Sequence, residues 1–438
     1  MKYFGTDGIR GEATMFTPEF LTKIVRGLID YAGDEIKVLI GGDTRESTEW
    51  ILADLASILD TFGIEYMSVG VLPTPAINYC FYQMGFDFAI DVTASHNPYT
   101  DNGIKIFERG HSQGQKLNEK ACEIIEKAIE ESQPLDLLSP TLREDLHNEA
   151  VDIYKEHLLE YLKIADFAGL HLGMDCANGA TSVINKEIFE QLGAKVELIN
   201  ADASYGQGIN HDCGSTHLDQ LRALVTDNSL DFGIAFDGDG DRCLLIDATG
   251  AEVDGDEIIA ILANFLNLDS IAVTVMTNQG LLNWAKENGI HAEITSVGDS
   301  NVAEAMREHD IKIGGEQSGH IILPGEATGD GMLTSLMVTK VASEAKQPLA
   351  DLAHIITKLP QVMLTIPATP EQKETLKTSP AIKQLLLDYS KKLDTYQGRL
   401  LVRPSGTEPL IRIALWGSDQ PAITTLAHEL KDKLTDLL

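Results

Sequence analysis

The chain has 438 residues, enough for several domains, and 43% are hydrophobic, which excludes a wholly disordered or fibrous protein. Lys and Arg number 34 against 67 Asp and Glu, a formal charge of −33, which argues against general binding to nucleic acid or an anionic membrane. An anionic substrate therefore needs its own local cluster of Arg and Lys.

Taken from the N-terminus, MKYFGTDGIRG lacks the long apolar segment of a secretory signal. No apolar stretch reaches the roughly 18 residues of a membrane span. Cys80, Cys122, Cys176, Cys213 and Cys243 are scattered and form no C-x-x-C pair, so a disulfide framework or zinc site is not expected. The chain reads as cytoplasmic.

Short β-rich runs alternate with amphipathic helical spacing. Lys37–Ile40 reads as a strand followed by a Gly-Gly-Asp-Thr loop, and Trp50–Phe62 as a helix. Phe88–Val92 reads as a strand ending in the polar loop Thr93–Asn102. A charged helix is predicted over Leu117–Ser132, ending near Pro134, then a connection at Leu138–Thr141 and a helix over Asn148–Leu162. A second αβ unit follows: strand His171–Cys176, helix Ser182–Leu192, strand Lys195–Leu198 and strand Phe232–Phe236. A third starts near Gly250, with helix Glu257–Phe265, strand Ile271–Val275, helix Gly280–Asn288 and strand Ile311–Ile313. After Pro360 the composition shifts to a proline-punctuated segment, strands Arg399–Val402 and Leu410–Trp416, and a C-terminal helix. Boundaries near 149, 248 and 360 give domains 1–149, 150–248, 249–360 and 361–438. In each of the first three, an apolar strand opens into a polar loop, the place where α/β folds hold ligands.

DGDGDR at 237–242 carries the strongest local signal. Asp237, Asp239 and Asp241 alternate, and in an extended backbone they converge on one hard cation such as Mg²⁺ or Mn²⁺. An acidic solvated turn is the plain alternative. An EF-hand fails, because Arg242 stands where its Gly belongs and Ala248 where its Glu belongs. A phosphatase with an aspartate nucleophile is a further alternative. Arg242 beside the carboxylates argues for an anion at the metal, most simply a phosphate.

TASHNP at 93–98 offers Ser95 as nucleophile or phosphate carrier and His96 as proton carrier or loop orienter, with Lys105 just beyond. GGEQSGH at 314–320 offers Glu316 and Ser318, on one side of an extended segment, to sugar hydroxyls. RPSGTEP at 403–409, with Arg412 nearby, combines Arg403, hydroxyls and backbone N–H groups in a plausible phosphate cradle. Each of these alone is also consistent with a plain polar turn. Neither G-x-x-x-x-G-K-[ST] nor G-x-G-x-x-G occurs, so nucleotide binding has little support.

In this order, the four loops resemble the signature loops of the α-D-phosphohexomutase superfamily over essentially the whole chain. FGTDGIRG at 4–11, INHDCGST at 209–216, GGEQSGHII at 314–322 and TGDG at 328–331 look most like its phosphoglucosamine mutase branch. The family pattern expects Arg after Val297-Gly-Asp299; here Ser300 follows, removing one cation near the sugar site. The resemblance implies an α/β fold: three related αβ domains with mixed sheets and a smaller C-terminal α+β phosphate-binding domain around a central cleft, the last expected to close over the site.

It also implies a phosphorylated Ser95, one Mg²⁺ per chain on Ser95, Asp237, Asp239 and Asp241, and a hexose 1,6-bisphosphate as intermediate and activator. Arg10 and Arg242 add positive charge, and His96, Lys105 and His320 are candidates for moving the hydroxyl proton. Glu316 and Ser318 grip the sugar, while Arg403, Ser405, Gly406, Thr407 and Arg412 hold the unreacting phosphate. The implied partner is a small sugar phosphate, with no nucleic acid or membrane, and a monomer or homodimer. A phosphomannomutase or phosphoglucomutase, or a non-catalytic sugar-phosphate-binding paralogue, is the alternative.

Overall fold

The computed structural model of the chain describes residues 2–110, 113–131, 145–405 and 409–438. The expected end of a helix at Ser132, the connection at Leu138–Thr141, and Gly406 and Thr407 lie outside the described residues. Two compact units are present: 1–274 with 293–354, and 275–292 with 355–438.

The first unit begins with a seven-stranded sheet. Lys37–Gly42 lies one strand in from an edge, parallel to the edge strand Glu65–Val71 on one side and to Phe88–Val92 on the other. Phe88–Val92 is buried at every position, as a strand covered by helices on both faces must be. Asp101–Arg109 returns antiparallel beside it, then pairs with Gly8–Glu12 and Gly114–Lys116. The polar run taken as a loop to Asn102 thus turns into a strand at Asp101, and Lys105 stands on it directly opposite Asp91. Helices Pro18–Ala32 and Glu46–Phe62 pack their apolar faces onto Val38, Ile40 and Ile90. The first helix starts where Thr17 accepts the Phe20 N–H and Pro18 fixes the first turn.

A five-stranded sheet repeats the plan. His171–Asp175 runs parallel to Lys195–Ile199 and to Phe232–Phe236, and Cys243–Asp247 returns antiparallel. The helix expected over Ser182–Leu192 is broken into a short 3₁₀ turn, Ala180–Val183, and one helical segment, Glu187–Gln191. Asn185 causes the break: its side chain donates to Ser182 O and accepts from Lys186 N, competing with the helical ladder.

In the third sheet Ser270–Thr274 runs parallel to Gly314–Gly315, which returns as Ile321–Ile322. Ile311–Ile313 is not a strand, although Ile313 O accepts from Ala272 N. Pairing starts at Gly314, where a Cβ would sit 2.8 Å from Ala272 O, too close for any side chain.

The second unit carries a three-stranded antiparallel sheet with Leu410–Trp416 between Gln361–Pro367 and Arg399–Pro404. The prolines read as a change of composition start helices there. Pro370 and Pro380 each follow a capping residue, Thr369 and Ser379, and open helices Pro370–Thr378 and Pro380–Asp394. The C-terminal helix, Gln420–Leu437, buries Ile423, Ala427, Leu430 and Leu434 in the same core as Ile411, Ile413 and Leu415. No helix among the described residues is long and apolar enough to cross a membrane. All five cysteines are buried as free thiols.

Candidate active site

Three loops of the first unit share one topological position. Each joins a parallel strand to the antiparallel strand that returns beside it. Residues 93–100 join Phe88–Val92 to Asp101–Arg109, 237–242 join Phe232–Phe236 to Cys243–Asp247, and 316–320 join Gly314–Gly315 to Ile321–Ile322. Cys243 N donates to Gly319 O at 3.1 Å, and Arg242 and His320 form an isolated bridge, so the second and third loops are tied together.

Asp237, Asp239 and Asp241 each place a carboxylate oxygen within 4.8 Å of the others, all buried. They converge through a tight turn and not an extended segment: Gly240 N donates to Asp237 O at 3.2 Å, and Gly240 has φ +72°. An extended backbone would send alternate residues out of one face but leave them too far apart to share an ion. Burial, with the charges of Asp239 and Asp241, pushes the Asp237 carboxyl well above the usual range. Burial pushes Asp241 up most, but the charges of Lys105, His320 and Arg242 together outweigh it and hold that carboxyl low. Asp239 Oδ1 and Asp241 Oδ1 are buried without a hydrogen-bond partner among the described residues. Hard oxygen donors, two of them orphaned, at mutual distances that one small cation spans, fit a divalent metal ion.

Ser95 is fully buried, and its Oγ donates to Asp237 Oδ2 at 2.7 Å. Its φ of +53° is left-handed, a conformation that costs an L-residue about 1–2 kcal/mol and turns the side chain toward the aspartates. His96 Nδ1 lies 3.3 Å from Ser95 Oγ. Burial, then the charges of Arg242 and Arg10, push the His96 imidazole down to about 4. Lys105 Nζ donates to Asp239 at 2.7 Å and Asp241 at 2.9 Å and pairs with Asp7 at 3.2 Å. Burial works against its charge, but those carboxylates together raise its affinity for the proton well above the ordinary value. Arg242 Nε stands 3.8 Å from Asp237 and 3.7 Å from Asp241, and Arg10 Nη1 stands 3.5 Å from Asp7.

The third loop is a turn: Gly319 N donates to Glu316 O and Glu316 N donates to His320 O. Glu316 and Ser318 therefore do not line one side of an extended segment. Instead Glu316 Oε1 accepts from Gly298 N at 3.1 Å, and His320 Nε2 accepts from Gly329 N at 3.2 Å and faces Asp299 at 3.6 Å. Ser300, standing where the family pattern has Arg, donates to Thr6 O at 2.7 Å. A cation is nonetheless present there. Lys116 Nζ pairs with Asp299 and lies 2.7 Å from Asp7.

Sequence reasoning missed Lys116, Asp7, Asp299 and Arg45. Asp7 and Asp299 sit inside stretches already singled out; Arg45 directly follows the Gly-Gly-Asp-Thr loop, at the carboxyl end of a parallel strand where a ligand-facing residue is expected. In the second unit, Arg403 and Arg412 are cross-strand partners, so their side chains leave one face of the sheet. They line a cavity of about 350 Å³ together with Met276, Met363 and Lys431. Ser405 is buried, and its carbonyl accepts from Lys373 Nζ at 2.7 Å.

Four family models match in order: the phosphoglucomutase/phosphomannomutase alpha/beta/alpha domain I at 1–135, domain II at 152–250, domain III at 254–359 and the C-terminal domain at 367–433. A phosphoglucosamine mutase of Caldicellulosiruptor bescii is 43% identical over 98% of both chains. The chain belongs to the phosphoglucomutase/phosphomannomutase family. Within it, a phosphoglucosamine mutase of Clostridioides difficile is 39% identical over 100% of this chain and 99% of its own. Among solved structures, a phosphoglucomutase/phosphomannomutase family protein of Burkholderia thailandensis superposes with a TM-score of 0.79 at 22% identity, covering 98% of this chain and 96% of that one. An N-acetylphosphoglucosamine mutase of Aspergillus fumigatus, in complex with GlcNAc-6P and magnesium, superposes at 0.67 with 17% identity, covering 99% and 96%. At those identities the likeness carries the fold.

Proposed function

We propose that the chain interconverts glucosamine 6-phosphate and glucosamine 1-phosphate through phosphorylated Ser95 and a glucosamine 1,6-bisphosphate. The full-length relatives named phosphoglucosamine mutase support the sugar. The observation that carries the chemistry is the Ser95 hydroxyl 2.7 Å from Asp237, at the edge of the three-aspartate cluster.

In the first half-reaction the sugar hydroxyl attacks phosphoserine. The P–O bond to Ser95 breaks as the P–O bond to the sugar forms, and the hydroxyl proton leaves for a base. The bisphosphate then turns around, and the reverse step returns its other phosphate to Ser95. Such transfer needs positioning and charge stabilisation more than covalent help. Asp237, Asp239, Asp241 and an oxygen on Ser95 would hold a Mg²⁺, which would supply positive charge to a phosphoryl group in transfer. Arg242 and Arg10 add to that charge. Lys105 is committed to three carboxylates and keeps its proton. That leaves His96, neutral at neutral pH, and His320 as acceptors of the hydroxyl proton. Glu316 and Ser318 grip sugar hydroxyls, and Arg403, Ser405, Gly406, Thr407 and Arg412 hold the unreacting phosphate. The ion pairs of Lys116 with Asp7 and Asp299 support the view that Ser300 is tolerated, because the local charge is kept.

The test is a coupled mutase assay with Mg²⁺ and a trace of hexose 1,6-bisphosphate, comparing glucosamine, glucose and mannose phosphates, with Ser95→Ala as control. Preference for glucosamine phosphate, lost in Ser95→Ala, is expected. Preference for glucose or mannose phosphate overturns the substrate, and turnover surviving in Ser95→Ala overturns the carrier.

A further inference from the structure

We infer that Arg45, assisted by Asn210, is the positioning residue that holds Ser95 in its reactive conformation; the inference rests on Ser95 being the phosphoryl carrier. Arg45 is a fully buried cation that touches none of the three aspartates of the cluster. Its five N–H donors are all used. Nε donates to Asp43 Oδ2 at 2.9 Å. Nη1 donates to Pro98 O and to Asp101 O, and Nη2 to Ser95 O and Asn97 O, both at 2.9 Å. Four carbonyls of one seven-residue segment thus converge on one planar fork.

Asn210 reaches the same loop from the segment that follows strand Lys195–Ile199. Its Nδ2 donates to Ser95 O at 2.9 Å and Asn97 O at 3.2 Å. On the other side of Ser95, its N–H donates to Thr93 Oγ1 at 2.9 Å, and Thr93 Oγ1 donates to Asp43 Oδ2 at 2.6 Å. Asp43 therefore anchors both the guanidinium and the hydroxyl. Neither backbone polar group of Ser95 is taken by a strand ladder; side chains hold both.

Burying a charge is costly unless it is paired and fully hydrogen-bonded, so a guanidinium placed here has to be set against what it holds. What it holds is a non-glycine residue at φ +53°, a conformation that persists only when the surroundings over-determine it. Released from those carbonyls, Ser95 relaxes toward ordinary backbone, and its Oγ leaves the line of attack. A lysine cannot substitute, since three donors on a point charge do not match four carbonyls and a carboxylate.

The experiment uses full-length wild type, Arg45→Lys and Asn210→Asp, with Mg²⁺. It measures the rate of Ser95 phosphorylation by glucose 1,6-bisphosphate by intact mass, and kcat and KM per phosphorylated molecule. Asn210→Asp keeps a residue that tolerates φ +56° but turns an acceptor toward two carbonyls. Expected are a kcat loss of about 100-fold in Arg45→Lys and about 10-fold in Asn210→Asp, with slower phosphorylation and KM within about 3-fold, as for a misplaced reacting atom. A purely structural role would lower the phosphorylatable fraction and leave kcat per phosphorylated molecule at the wild-type value, and that result in Asn210→Asp overturns the inference. If wild type takes the phosphoryl group and both variants match it in rate, the inference alone fails. If wild type takes none on Ser95, the carrier reading fails and takes the inference with it.

Discussion

Lys105 Nζ stands 2.7 Å from Asp239 Oδ2, with both side chains almost wholly out of solvent. The ammonium shares its carboxylates with any metal ion that the cluster holds. Removing one partner of a buried pair leaves an uncompensated charge, at about 3–5 kcal/mol. Lys105→Met is therefore expected to lose roughly that much stability without metal. Its melting temperature is expected to rise more steeply with Mg²⁺ than that of wild type, because the more negative cluster binds the cation more tightly. Thermal unfolding over a Mg²⁺ titration checks this. Equal shifts in the two proteins would show that Lys105 and the metal do not share the cluster.

Gly238 is where the loops 93–100 and 237–242 approach. A Cβ there would lie 2.7 Å from Ser95 O, 2.7 Å from Asn210 Nδ2 and 2.8 Å from Ile209 Cδ1. Gly238→Ala is expected to push the two loops apart, lowering kcat about 100-fold, the cost of a misplacement near 1 Å, while the chain still folds. Steady-state kinetics beside a circular dichroism melt separates the effects. Wild-type kcat in Gly238→Ala would mean that the loops adjust freely.

Asp330 sets a pH dependence of unusual sign. Burial pushes its carboxyl up to about 7, although Leu333 N and the Tyr154 hydroxyl donate to it. The folded state therefore binds a proton between about pH 4 and 7 that the unfolded chain has released, so this group stabilises the fold at low pH and the contribution falls as pH rises through 7. About three pH units correspond to roughly 4 kcal/mol. Asp330→Asn keeps the oxygen that caps helix Gly331–Ala345 and removes the titration. Its stability curve is expected to be flatter over that range than the wild-type curve. Parallel curves for the two proteins would remove Asp330 as the source.

Strands such as Phe88–Val92 and Phe232–Phe236 are legible in the sequence because a strand covered on both faces is apolar at every position, and its end is marked by the first polar residue. Ser95, the three aspartates and Arg242 are legible for the same reason: they follow such an end. The turns that bring them together are not. Asp237, Asp239 and Asp241 suggest an extended zigzag, and only the Gly240 conformation shows a folded loop. Lys105 was visible as a nearby cation, but its place opposite Asp91 depends on the register of a return strand that no local pattern specifies. Arg45 and Lys116 lie 50 and 183 residues from partners that define them, Ser95 and Asp299. A single sequence carries no local mark of such pairings.

The antiparallel return strands bear on how the reaction is made ready. A loop between a strand and a helix is tethered to the sheet at one end. Here the loops 93–100, 237–242 and 316–320 are each tethered at both ends by neighbouring ladders of one sheet, as Phe236 with Cys243 and Gly315 with Ile321 show. Their chain entropy is spent during folding, before any ligand arrives. Substrate binding energy need not freeze these loops and is left to draw the reacting groups into line.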